Sequence, residues 1–438
     1  MVSAPAWRAS SRPISAASLS CCVGRPVARG GPRSTLGCAT IRCVPCRGPR
    51  SRVGRSCPSP SRSDRIGRRT VSDAVRLCDL QRMDRELGPA LRRAIDRVAS
   101  SGQFILSDAV RSFERALADH HGVAYAVGVG CGSDALLLAL RAVGVGPGDV
   151  VITSPLSFIA TAEAIVRAGA RVRFVDVNDH GLLDATAVRA VCEDAGHEVA
   201  AVLPVHLYGR TCDGVAAVAR GRPIVHDAAQ AVGARVEGAA LGSGGPACLS
   251  FFPSKNLGAW GDGGAVLTDD ASLADRIRAD RVHGRLDGSF DRLGLNSRLD
   301  AIQAAVLAVK LEHLGEHDAR RREVVARYRD GLAGLDDLGL PPPLRDGDTP
   351  HLFTVRVASD RGALVDHLAR HGIESRVYYP RLLPDEPAIA PHVVGDVTLP
   401  TARRLSQQVL SLPLHPFLTD DDIDRVVAAV RSGLATGP

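Results

Sequence analysis

"AYAVGVGCGSDALLLALRAVGVGPGDVVITSP", residues 124–155, decides the fold. A short Val/Ala run ends in a glycine–serine turn, a Leu/Ala stretch of helical length follows, and a Val/Ile run comes next. Strands this continuously apolar are buried on both faces, since a strand with one wet face alternates apolar and polar residues. The same alternation repeats outward through "IATAEAIVRAG" (159–169), "RVRFVDV" (171–177), "ATAVRAVCEDAG" (185–196), "VAAVLPVHL" (199–207), "DGVAAVARG" (213–221) and "PIVHDAA" (223–229). Strand and helix in turn predict an α/β fold with a mostly parallel sheet covered by helices.

Upstream, residues 83–102 read as an amphipathic helix stopped by Gly102, and residues 107–122 as a second one capped by Ser107 or Asp108. Downstream come "ACLSFFPSKN" (247–256), "GGAVLTDD" (263–270) and one long helix over 298–332. A strand, helix and strand follow at 351–357, 361–372 and 374–380, and a capped helix at 420–433. The expected division is a leader over 1–70, a large α/β domain over 71–318 and a small α+β domain over 319–438.

The net charge of +6 is unevenly distributed. Residues 1–70 carry fourteen arginines against one acid, Asp64, while the remainder has 40 basic and 47 acidic residues. The acidic body gives no electrostatic footprint for nucleic acid. No stretch reaches the roughly 20 apolar residues of a membrane span, so a soluble, cytoplasmic protein is expected. The leader holds six of the eleven cysteines, including the C-x-x-C of Cys43 and Cys46, with no second pair at zinc spacing. No metal site is expected. Its Arg/Ser/Pro composition is that of a disordered segment, read either as a transit peptide or as translation assigned upstream of a start at Val71.

Of 54 basic residues only two are lysines, Lys255 and Lys310. Lys255 sits in "FFPSKNLGAWGDGG" (251–264), among glycines that let backbone approach a ligand closely. Lysine can form a Schiff base through its neutral amine, whereas arginine stays protonated. In "VHDAAQAVGA" (225–234), Asp227 ends a buried strand, at the edge where α/β sheets bind ligands. A carboxylate there can keep a pyridine nitrogen protonated, and Gln230 is within reach of a ring hydroxyl. Gly132 and Ser133 open a helix whose N-terminal N–H groups suit an anion, and Ser250 can add a hydroxyl. Phe158, at a strand-to-helix junction, can stack on a flat ring. Each has an ordinary alternative: a surface lysine, a helix-capping Asp, a routine βα turn, a core Phe. Their conjunction points to a cofactor site.

These segments resemble the sugar aminotransferases of the DegT–StrS family, pyridoxal 5′-phosphate enzymes of fold type I, over about residues 76–432. The resemblance is carried by "GSDALLLAL" (132–140), "FIATAEAI" (158–165), "PVHLYGR" (204–210), "HDAAQAVGA" (226–234), "SFFPSKNLGAWGDGGAV" (250–266), "NSRLDAIQAAVLAVKLEHL" (296–314) and "LSLPLHPFLTDDDIDRVVAAV" (410–430). It implies Lys255 as Schiff-base and proton-shuttling lysine, Asp227 at the pyridinium, Gln230 near the ring oxygen and Phe158 on the ring face. Gly132, Ser133 and Ser250 would hold the phosphate, joined by Asn296 across a homodimer interface, with Arg298 nearby. His206, Tyr208 and Tyr378 fall in segments facing the substrate.

The implied reaction moves an amino group from L-glutamate to a nucleotide-linked keto-sugar, with 3-amino deoxysugars of secondary metabolism as the nearest wording. Many relatives have His where this chain has Tyr378, which touches the choice of sugar. Lys255 argues against the sugar 3-dehydratases that replace this lysine with His. A 4-keto-sugar enzyme, a cyclitol or aminobenzoate enzyme, and a non-catalytic cofactor-binding regulator are the alternatives.

Overall fold

The computed structural model describes residues 74–193 and 199–435. The leader and its C-x-x-C lie outside the described residues. The central sheet is built from β1 (Tyr125–Val129), β2 (Val150–Thr153), β3 (Arg171–Phe174), β4 (Val199–Leu203), β5 (His226–Asp227), β6 (Ala247–Ser250) and β7 (Gly264–Thr268). Their order is β3-β2-β4-β5-β6-β7-β1, the β4–β5 join being made by the Val202–Ile224 and Val205–Asp227 bridges. Only β7 opposes its neighbours, pairing antiparallel with both β6 and β1. Six strands therefore run one way, as the continuous apolar runs predict.

Helices α1 (Leu80–Ser101) and α2 (Asp108–His121) end at Gly102 and Gly122, both left-handed, the usual C-terminal use of glycine. Ser107 occupies the N-cap position of α2, but its side chain makes no capping bond. Helix α3 (Gly132–Ala142) is buried along Ala135–Leu140, which explains its unbroken Leu/Ala run: it lies inside the protein. Helices α4 (Ala160–Arg167), α5 (Ala185–Glu193), α6 (Val215–Val218) and α7 (Ala271–Asp280) complete the covering layers.

The long helix expected over 298–332 is two helices, α8 (Ala301–Glu312) and α9 (Leu314–Gly331). His313, at φ −98° and ψ −1°, is at once the C-cap of α8 and the N-cap of α9, and Gly315 follows, a weak helix former. The break separates an apolar helix packed on α1 and α2 from a polar one that contacts the C-terminal α12.

Beyond it, β8 (Leu338–Gly339), β9 (Phe353–Val357) and β10 (Val409–Leu412) form an antiparallel sheet. It is flanked by α10 (Arg361–Arg370), α11 (Pro400–Gln408) and α12 (Asp420–Ala435). Thr419 and Asp422 cap α12 reciprocally, each backbone N–H donating to the other's side chain at 3.1 Å. The strand expected over 374–380 is reduced to one bridge, Arg376 with Ser411. Past Arg376 the chain leaves the sheet, and Val377, Tyr378 and Tyr379 line a cavity instead.

Candidate active site

The cavity, about 620 Å³, lies at the carboxyl ends of the parallel strands, the edge where α/β sheets bind ligands. One end of it is the N-terminus of α3. Cys131 caps that helix, its sulfur accepting from Asp134 N at 3.4 Å. A Cβ on Gly132 would stand 2.7 Å from the Ser250 Cβ, so only glycine lets β6 come this close. Gly132, Ser133 and Ser250 all line the cavity. Backbone N–H groups and two hydroxyls thus converge where the helix dipole favours an anion.

Lys255 follows the end of β6 on a loop folded back on itself. Phe251 N donates to Gly263 O, Ala259 N to Phe251 O, and Lys255 N to Phe252 O, each at 2.8 Å. Behind the turn, the buried Lys310 (4% exposed) donates to Gly258 O. The two lysines of the chain therefore serve the same turn. Desolvation pushes the Lys255 ammonium down to about 8, and the Asp227 carboxylate partly opposes the shift.

Asp227 is buried at the tip of β5. Its Oδ2 accepts from Thr161 Oγ1 at 2.7 Å and its Oδ1 from Ala229 N at 3.2 Å. Burial pushes its pKa up, and these two bonds and Lys255 offset only part of that rise. Gln230 is oriented by two partners: its Oε1 accepts from Tyr208 N at 2.7 Å, and its Nε2 donates to Tyr379 Oη at 3.2 Å. Phe158, 57% exposed at the cavity wall, faces Tyr379 with ring centroids 6.4 Å apart.

Lys255, Asp227, Gly132, Ser133, Ser250, Phe158, Gln230 and Tyr378 thus all meet at one cavity. His206 and Tyr208 do not line it. His206 is fully enclosed: its Nδ1 accepts from Cys212 N at 3.1 Å, which leaves Nε2 to donate to His226 Nδ1 at 3.0 Å. Burial holds both rings neutral, His226 falling to about 4. Tyr208 works as a joint. Its backbone O accepts from His351 N and Leu352 N, and its hydroxyl donates to Tyr378 O. Next to it, Gly209 has no room for a Cβ, which would lie 1.8 Å from Thr349 O. Apart from Val205, which lines the cavity, "PVHLYGR" is therefore a docking segment behind its wall. Asn296 is exposed and Arg298 half-buried, and neither lines the cavity of this single chain.

The sequence reading missed Ser157, Thr161, His351 and Tyr379, all of which line the cavity. Tyr379 adjoins Tyr378, and Thr161 lies inside "FIATAEAI". His351 had no motif around it; its Nδ1 meets Asn256 Oδ1 at 3.0 Å, beside Lys255.

Residues 86–431 match the model of the DegT/DnrJ/EryC1/StrS aminotransferase family. The chain belongs to this family. A dTDP-3-amino-3,4,6-trideoxy-α-D-glucose transaminase of Streptomyces venezuelae is 42% identical, over 83% of this chain and 97% of that protein. A "pleiotropic regulatory protein" of Geobacillus stearothermophilus is 40% identical over 81% and 97%. The crystal structure of S. venezuelae DesV in complex with a ketimine intermediate superposes with a TM-score of 0.79 at 41% identity, over 83% of this chain and all of that one. The expected fold type I architecture is borne out by these neighbours, and the chain is a pyridoxal phosphate-dependent aminotransferase.

The residues present fit that cofactor. A Cβ on Gly132 would intrude on the anion cradle, two serine hydroxyls converge there, and a lysine near pKa 8 shares the cavity with a buried carboxylate.

Proposed function

We propose that this aminotransferase moves an amino group from L-glutamate to a nucleotide-linked keto-deoxysugar, of the dTDP-3-keto-6-deoxyhexose kind, in amino-sugar biosynthesis. The observation that carries the reading is the shared cavity of Lys255 and Asp227, one a lysine near pKa 8 and the other a buried carboxylate. Relatives named for 3-amino sugars support the substrate class.

When bound, the cofactor supplies an electron sink for the carbon that gains or loses the amine. Gly132, Ser133 and Ser250 would hold its phosphate, and Phe158 would pack on its ring. Asp227 would face the ring nitrogen, and Gln230 would offer an N–H to the ring oxygen. Lys255 would be the residue that holds the cofactor covalently, and its amine, near pKa 8, would be the base that moves a proton at the substrate carbon. Tyr378 lines the same cavity and would face the sugar.

Asn296 and Arg298 are available to a second copy of the chain, in a homodimer with shared sites. The chain divides into a large domain over 71–318 and a small one over 319–438, and works in the cytoplasm. Among the described residues, no helix is long and apolar enough to cross a membrane.

The deciding experiment is borohydride trapping of the yellow wild-type protein followed by peptide mapping, with glutamate turnover measured on 3-keto and 4-keto sugar nucleotides. Label at 255 and turnover on a 3-keto sugar are expected. Label elsewhere sinks the site. The relative named as a regulator gives a second reading, in which the cofactor binds without turnover.

A further inference from the structure

A hydrogen-bonded chain of two hydroxyls ends on Asp227. Thr161, the second residue of α4, is buried and donates to Asp227 Oδ2, and Ser157 Oγ lies 2.7 Å from Thr161 Oγ1. An ionised carboxylate only accepts hydrogen bonds. The Thr161 hydrogen is therefore committed to Asp227, and the Thr161 oxygen is left to accept from Ser157. With Ala229 N–H on the other oxygen, both carboxylate oxygens are held.

Among the described residues, one cation bears on Asp227. Lys255 faces it from its loop, while Tyr379 and the Cys248 thiol on β6 are pushed upward by burial and stay neutral. The adjacent His226 ring is neutral and bonded to His206. Desolvation by itself favours the uncharged acid, and an uncharged acid offers no charge to a protonated pyridine. The hydroxyl chain opposes that tendency.

We propose that Thr161 and Ser157 are positioning residues, whose oriented hydroxyls keep the Asp227 carboxylate ionised and aimed so that the cofactor's pyridine nitrogen is held protonated. This rests on the reading that the ring nitrogen meets Asp227.

The test uses two probes on cofactor-free protein, pyridoxal phosphate and its 1-deaza analogue, in which the ring nitrogen is replaced by CH. Dissociation constants are measured for wild type, Thr161→Val, Thr161→Ser and Ser157→Ala, with thermal melts of each unliganded protein. Wild type should bind pyridoxal phosphate about tenfold or more tighter than the analogue. Thr161→Val should weaken pyridoxal phosphate by about tenfold, the scale of one hydrogen bond to a charged group, and leave the analogue nearly unchanged. Thr161→Ser should restore the preference, and Ser157→Ala should erode it less than Thr161→Val. Equal losses for both probes, or an unchanged preference in Thr161→Val, would overturn the proposal. A wild type that does not distinguish the probes overturns the placement of the ring against Asp227 itself. Should Thr161→Val fail to fold, Ser157→Ala and Thr161→Ser carry the same comparison.

Discussion

Gly132 and Ser250 pack so closely that β6 leaves no room for a methyl group on the first residue of α3, whose Cβ would lie 2.7 Å from the serine's. That approach brings a serine hydroxyl and a helix N-terminus to one point.

Gly132→Ala should therefore lower the affinity for pyridoxal phosphate by about tenfold or more, because Cβ atoms this near force the strand or the helix to move. Fluorescence titration of cofactor-free protein measures it. The double variant Gly132→Ala/Ser250→Gly should recover thermal stability but not affinity, since it regains the space and loses the hydroxyl.

The lowered Lys255 pKa has a signed consequence. Protonated amine does not add to an aldehyde, so uptake of pyridoxal phosphate should speed up by about tenfold per pH unit below the pKa. It should level off near pH 8, whereas an ordinary lysine would keep climbing toward 10.5. Stopped-flow absorbance from pH 6 to 10 tests this. Lys255→Arg should keep its melting temperature without cofactor and show no uptake at any pH.

Asn256 braces the lysine turn, its Nδ2 donating to Pro350 O at 3.2 Å and its Oδ1 meeting His351 Nδ1. Asn256→Ala leaves a buried imidazole N–H without a partner, which costs about 1–3 kcal/mol. Urea unfolding should register that loss, and cofactor uptake should slow as the turn loosens.

The His206–His226 pair couples stability to acidity. A free histidine titrates near 6.5, while burial holds His226 at about 4. Between these values the unfolded chain binds the extra proton, so stability falls as pH drops from 6.5 toward 4, by about 3 kcal/mol from His226 alone. Above pH 6.5 the site costs nothing. His226→Gln should flatten that part of the pH profile of the urea midpoint.

His206→Ala tests the part assigned to that ring. It should destabilise by about 1–3 kcal/mol through the unpartnered His226 nitrogen and leave the KM for the sugar nucleotide unchanged in the folded fraction. A raised KM would return His206 to the substrate.

The sheet was legible because its strands are buried on both faces and the period is uninterrupted from β1 to β5. The break at His313 was not, since both sides of it have helical composition and the turn between them answers to packing partners distant in sequence. Within the site, Lys255 stood out against an almost lysine-free background and Asp227 against an apolar strand. Thr161 did not, because a threonine early in a helix reads as an ordinary residue until its hydroxyl is seen to reach a carboxylate 66 positions away. His206 drew a substrate role because it lies within "PVHLYGR", a pattern that gives no sign that its ring is hydrogen-bonded to another buried histidine.

The scarcity of lysine, with Lys310 sealed behind the turn it supports, makes this enzyme unusually simple to modify at a chosen place. In the body of the fold, an acylating reagent or bulky aldehyde finds one reachable ε-amine, at the bottom of the cavity, and a ligand seated there should shield it. Loss of labelling can then serve as a direct count of filled sites, with no spectroscopic assumption about what fills them.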